Sequence, residues 1–176
     1  QVSGQFSLTL PGTYNQNFDG LGTTTSGGVT LGSLSNVNMS LTGWFFSELP
    51  TSDLQIVAGT CSSTTGDTYN FGTAAAADRT LGGLQSGSLD PTVGFYFTNN
   101  TGSIITSLAI TYTGEQWRLG ANARIDRLDF EYSLNAVSLT TGNWINADAL
   151  DFTAPVTTAT IGPLDGNIAG NRTVIT

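Results

Sequence analysis

The chain has 176 residues, enough for one domain, and only 10% of them are charged, against roughly a quarter in ordinary soluble domains. It contains no Lys and no His, and its five Arg (Arg79, Arg118, Arg124, Arg127 and Arg172) are set against thirteen carboxylates, for a net charge of −8. That balance excludes a nucleic-acid surface and attraction to an anionic membrane, since both need clustered cations.

Period-two alternation, punctuated by Gly, Asn, Asp and Pro, recurs along the chain and predicts strands. The first candidate covers residues 1–10: Val2, Gly4, Phe6, Leu8 and Leu10 form one apolar face, and Pro11-Gly12 ends the run. Leu41 to Phe46 and Leu54 to Ala58 come next. Ala74 to Ala77 is the one helical candidate and is too short to be stable alone. Val93 to Thr98 is closed by Asn99-Asn100-Thr101-Gly102, and Leu108, Ile110 and Tyr112 alternate after it. Arg127 to Tyr132 reads as the clearest strand, with Leu128, Phe130 and Tyr132 toward a core and Arg127, Asp129 and Glu131 toward solvent. From Asn143 onward the chain reads as loops with short strands. Many short strands without helices predict an all-β fold, an antiparallel β-sandwich of jelly-roll type. Residues 1–12 are expected to be an N-terminal strand and residues 13–176 a single sandwich domain. No stretch nears the ~18 apolar residues of a membrane-spanning helix, so no membrane insertion is expected. A chain that opens at Gln1 reads as an extracellular or cell-surface product from which an export signal has been removed.

The absence of His rules out a Ser-His-Asp triad, a Cys-His pair and the usual His-rich zinc sites, and the absence of Lys rules out Schiff-base chemistry. Cys61 stands alone, so no intramolecular disulfide forms; a small buried apolar residue is its first reading and an exposed thiol the second. Asp129 and Glu131 share a strand face and are the pair a glycosidase would use. A solvated face, with Arg127 neutralising Asp129, is the stronger reading, and no enzyme is expected. Asp148, Asp151 and Asp165, with Asp19 and Asp67, are candidate ligands for a structural calcium ion, on composition alone; no other cofactor is expected. Of the three Trp, Trp44 belongs to an apolar run and reads as core. Trp144 follows a turn and is the candidate glycan contact.

The segment Tyr112-Thr113-Gly114-Glu115-Gln116-Trp117-Arg118, with Thr13-Tyr14-Asn15-Gln16-Asn17-Phe18-Asp19, resembles a β-sandwich domain common in secreted and surface-anchored bacterial proteins, notably exported proteins of the PEP-CTERM type. Asp78-Arg79-Thr80-Leu81-Gly82, Asp148-Ala149-Leu150-Asp151-Phe152, Leu164-Asp165-Gly166-Asn167 and Asn171-Arg172-Thr173 also match its pattern, so the resemblance covers nearly the whole chain. It implies a fold and a location and no particular activity. Glu115, Trp117 and Arg118 are expected to fix a turn against a neighbouring strand. Members of that family continue past Asn-Arg-Thr into a last strand, whereas this sequence stops at Thr176. The resemblance therefore implies a sandwich lacking its last strand, with an apolar groove and an unpaired edge. Val2, Gly4, Phe6, Leu8 and Leu10 would then be a donor strand for the next copy, giving a head-to-tail homopolymer and a structural filament. Pairing of residues 1–10 inside their own domain is the competing reading. The alternative function is a carbohydrate-binding or adhesin module that meets an extracellular glycan.

Overall fold

The most apolar run of the chain, Trp44-Phe45-Phe46, opens the strand Trp44–Leu49, and this strand is the spine of one sheet. The computed structural model describes residues 4–27, 29–30, 37–38, 41–50, 53 and 55–176; Val2 and Leu54 lie outside them. Trp44–Leu49 runs antiparallel to Asp90–Phe95 along its whole length, from Trp44 opposite Phe95 to Leu49 opposite Asp90. Val37–Asn38 and Val29–Thr30 extend this sheet to four strands. A second four-stranded sheet is ordered Ser26–Gly27, Gln55–Gly59, Asp67–Phe71, Thr80–Leu84.

The sheets meet over a common core. Phe46 and Val93 of the first pack with Ile56 and Leu81 of the second, around Leu21 from the 3-10 turn Asp19–Leu21. Cys61, Tyr69, Phe71 and Trp117 form a second buried cluster, in which Phe71 stacks between Tyr69 and Trp117 at ring distances of 5.0 and 5.9 Å. Burying side chains of this size contributes about 1.5–3 kcal/mol each.

Beyond residue 112 the strands form only two-stranded ladders. Tyr112–Glu115 pairs with Arg172–Ile175, Arg118–Leu119 with Gly162–Pro163, Arg127–Leu128 with Phe152–Thr153, and Glu131–Tyr132 with Ile145–Asn146. Among the described residues there is no α-helix, only 3-10 turns, so the fold is all-β with several open sheets. The four alanines from Ala74 to Ala77 form a turn with Ala75 in the left-handed region at φ 63°.

Three expectations are corrected. First, the pairing is not wholly antiparallel: Gln55–Gly59 runs parallel to Asp67–Phe71, and Phe6–Leu8 parallel to Phe97–Asn99. Alternation reports which side chains share a face and says nothing of strand direction. Second, the N-terminal run is not one extended face. Gly4 sits at φ 90°, the strand is limited to Phe6–Leu8, and Leu10 is 73% exposed. Third, Arg127 to Tyr132 does not have a buried side and a wet side. The 3-10 turn Asp148–Leu150 interrupts its partner strand, which splits the pairing in two, and Leu128 and Tyr132 are 54% and 45% exposed. Phe130 alone turns inward, stacking on Tyr112 at 6.3 Å.

Candidate functional site

Four places carry the residues that sequence reasoning singled out. The first is the N-terminal strand. The extended segment Asp90 to Asn99 pairs with Trp44–Leu49 over its first part, and Gly43 marks where that partner ends. There the Tyr96 N–H donates to the Gly43 carbonyl at 2.7 Å, and the Gly43 N–H donates to the Gly4 carbonyl at 2.6 Å. Phe6–Leu8 then takes over as partner: the Phe6 N–H donates to Tyr96 O at 3.0 Å and the Asn100 N–H to Leu8 O at 2.7 Å. The Asn100 amide also donates to Ser7 Oγ at 2.7 Å. Phe6 lies edge-on to Tyr14 at 4.9 Å, and Tyr14 stacks on Phe95 at 4.5 Å. Gly43, at φ 87°, lies against Phe6 and Phe95 so closely that a Cβ would collide with both. Without residues 4–8 the Tyr96 to Asn100 edge would lose these main-chain partners, and the Phe95 ring would lose Phe6 while keeping Tyr14, Trp44 and Phe97. Residues 9–15, which include Pro11-Gly12, are exposed.

The second place is the junction built by the motif segments. Glu115 Oε2 accepts both the Trp117 indole N–H, at 3.0 Å, and the Thr80 hydroxyl. Arg79 is buried with its guanidinium on Asn70, while its N–H donates to Asp19 Oδ1 at 3.1 Å. Arg118 donates to the Cys61 carbonyl at 2.8 Å. The buried Gln116 side chain exchanges two bonds of 2.8 Å with the Val156 backbone, and its N–H donates to Asn171 O at 2.7 Å. Gly166 lies under the Trp117 ring, Gly114 against Phe152, and the Tyr112 hydroxyl donates to Leu150 O. Segments as distant in sequence as Asp19, Arg79, Glu115, Phe152 and Asn171 thus converge on one packing unit. Glu115, Trp117 and Arg118 have their polar groups turned inward onto protein partners.

Third is Trp144, 37% exposed, whose indole N–H donates to Thr141 O at 2.9 Å.

The acidic residues come last. Asp151 Oδ1 accepts the Phe130 N–H at 2.8 Å, and its other oxygen lies 3.7 Å from Arg127. Asp165 Oδ1 accepts the Asn167 N–H at 3.0 Å, and Asp148 opens an exposed 3-10 turn. Asp129 is paired with Arg127. Asp148, Asp151 and Asp165 are not brought together as one ligand set. The acidic group that is gathered consists of Glu48, Asp53 and Asp67, each offering a carboxylate oxygen within 4.8 Å of the others. Glu48 and Asp67 are 2% and 9% exposed and come from the two different sheets; Asp53 is exposed. Burial, then the charges of Glu48 and Asp53, push the Asp67 carboxyl up to about 7. Composition points to Asp67 but to neither Glu48 nor Asp53. The available signal was a glutamate at the end of the most apolar run, a position whose side chain must either be paired or leave the core.

No family model matches the chain, and no curated protein or solved structure matches it significantly.

Proposed function

We propose that the protein is a non-catalytic extracellular structural subunit, a jelly-roll-type sandwich of the exported bacterial kind, that assembles head-to-tail by exchange of its N-terminal strand. The observation that carries this reading is the Tyr96 to Asn100 edge. Among the described residues it is completed by residues 4–8, and these are joined to the rest of the chain through the exposed segment 9–15. A neighbour's Phe6–Leu8 would find the same main-chain bonds and the same Phe95 and Tyr14 rings, so exchange loses no contact. The acceptor groove in this reading is the site that the chain's own strand occupies in the monomer, and not the one the resemblance implied at the C-terminal edge. Exposed apolar side chains such as Ile104, Leu108, Leu134 and Val174 add surface that a neighbouring subunit would cover.

Negative-stain electron microscopy tests the reading with a Ser7→Cys/Asn100→Cys variant, in which a disulfide fastens the strand to its own chain. Filaments from the parent and from the reduced variant, and none from the oxidised variant, support strand exchange. Monodisperse parent protein, or filaments that survive oxidation, overturn it. Partial exposure of Trp144 favours a glycan-binding module as the second reading; loss of glycan retention in Trp144→Ala, with the parent monodisperse, would select it.

A further inference from the structure

Glu48 and Asp67 place two carboxylates together in the core. Each projects from a different sheet into the same buried space, and Asp53 closes that space from the solvent side. Glu48 Oε1 accepts the Thr68 N–H at 2.8 Å, but Glu48 Oε2 and Asp67 Oδ1 are buried with no hydrogen-bond partner. An unpartnered ionised carboxylate is among the costliest groups to bury, and two side by side repel each other as well. Among the described residues no cation forms an ion pair with them. The ion pairs among the described residues involve Arg124 and Arg127; Arg79 is spent on Asn70 and Arg118 on the Cys61 carbonyl. Lys and His are absent altogether.

We infer that Glu48, Asp53 and Asp67 bind one calcium ion, which bridges the two four-stranded sheets. The donor set is all oxygen, which selects a hard cation. Among hard cations, magnesium gives up its waters reluctantly and usually keeps several, whereas calcium is readily held by carboxylate oxygens. Two of the three carboxylates here are buried away from solvent, which favours the ion that sheds its water more easily. Asp53, on the exposed side, is the residue through which the ion enters, and the two buried carboxylates tie the ion to both sheets. This differs from the calcium ligands expected from composition, of which Asp67 alone takes part.

The test uses the whole chain stripped with EDTA and titrated with CaCl2 and, separately, MgCl2, with urea unfolding and isothermal calorimetry as readouts. Saturable binding of one calcium per chain, with a rise in the unfolding midpoint and a weaker response to magnesium, is the expected result. Asp53→Asn, on the exposed side, should still fold and should lower calcium affinity by roughly tenfold, one lost charged ligand's worth. Glu48→Gln/Asp67→Asn removes both orphan oxygens as anions and should fold without calcium and no longer respond to it. Absence of any saturable calcium effect up to about 10 mM, above the range of weak extracellular sites, overturns the site. So does an Asp53→Asn variant that folds and binds calcium with parental affinity.

Discussion

The hold of the N-terminal strand on its own domain can be weighed from its contacts. Main-chain bonds from Gly4, Phe6 and Leu8, with the short ladder between Phe6–Leu8 and Phe97–Asn99, contribute roughly 1 kcal/mol each, about 4–5 in sum. Half-burial of Phe6 and Leu8, with the Phe6–Tyr14 ring contact, adds roughly 2–3 kcal/mol. Ordering residues 4–8 costs roughly 1–2 kcal/mol per residue, about 5–10 in all. The terms nearly cancel, so the strand should leave its edge for no more than about 3 kcal/mol while the rest of the domain stays folded. Native-state hydrogen exchange measures this directly. The amides of Phe6 and Asn100 should exchange through a local opening, with protection factors no greater than roughly 150, the equivalent of that free energy. The amides inside the Trp44–Leu49 ladder should exchange only by global unfolding. If Phe6 and Asn100 were as protected as Phe46, the strand would be an integral part of the domain and the exchange mechanism would lose its physical basis.

Glu115→Ala should cost about 2–3 kcal/mol in urea unfolding, because it strands the buried Trp117 indole N–H and the Thr80 hydroxyl together; Glu115→Gln, which keeps an acceptor, should cost less. Phe46→Ala removes a fully buried ring from the shared core and should cost about 3–5 kcal/mol, whereas Leu128→Ser, at an exposed position, should stay within about 0.5 kcal/mol of the parent. The Asp67 carboxyl titrates near 3.8 when unfolded and near 7 when folded, so the fold favours its neutral form. Its contribution is complete below about pH 4 and is lost as pH rises through about 7. The metal-free protein should therefore melt at a lower temperature at pH 8 than at pH 5, and Asp67→Asn should flatten that difference.

Much of the architecture is legible in the sequence, for identifiable reasons. The expected runs Leu41 to Phe46 and Val93 to Thr98 overlap the strands Trp44–Leu49 and Asp90–Phe95 because each holds consecutive β-prone aromatics, Trp44-Phe45-Phe46 and Phe95-Tyr96-Phe97, while the bounds differ by several residues. The 127–132 segment misleads because alternation is the same whether the apolar face meets a sheet or water, and its partner strand is broken by the Asp148–Leu150 turn. Direction is invisible as well. The chain passes from Gly59 to Asp67 through a short connection that holds the buried Cys61, and it enters the sheet again parallel to the strand it has just left. The hydrogen-bonding capacity of Glu115, Trp117 and Arg118 is legible from their types. Their convergence with Asp19, Arg79 and Asn171 depends on tertiary contacts that no local pattern encodes. The Glu48 and Asp67 pairing belongs to the same class, since residues of two different sheets meet only when the core closes.

Cys61 is buried at φ 57°, its carbonyl held by Arg118, and burial raises its thiol to about 11 despite the nearby guanidinium. At neutral pH almost none of it is thiolate, the reactive form. The molecule therefore carries an internal clock. A thiol reagent reaches Cys61 only when the second core cluster opens, so the rate of labelling reports the opening of that cluster, on a native chain and without any added probe. It also means that cysteines introduced at the surface react alone, so probes can be attached one at a time with the native thiol left in place.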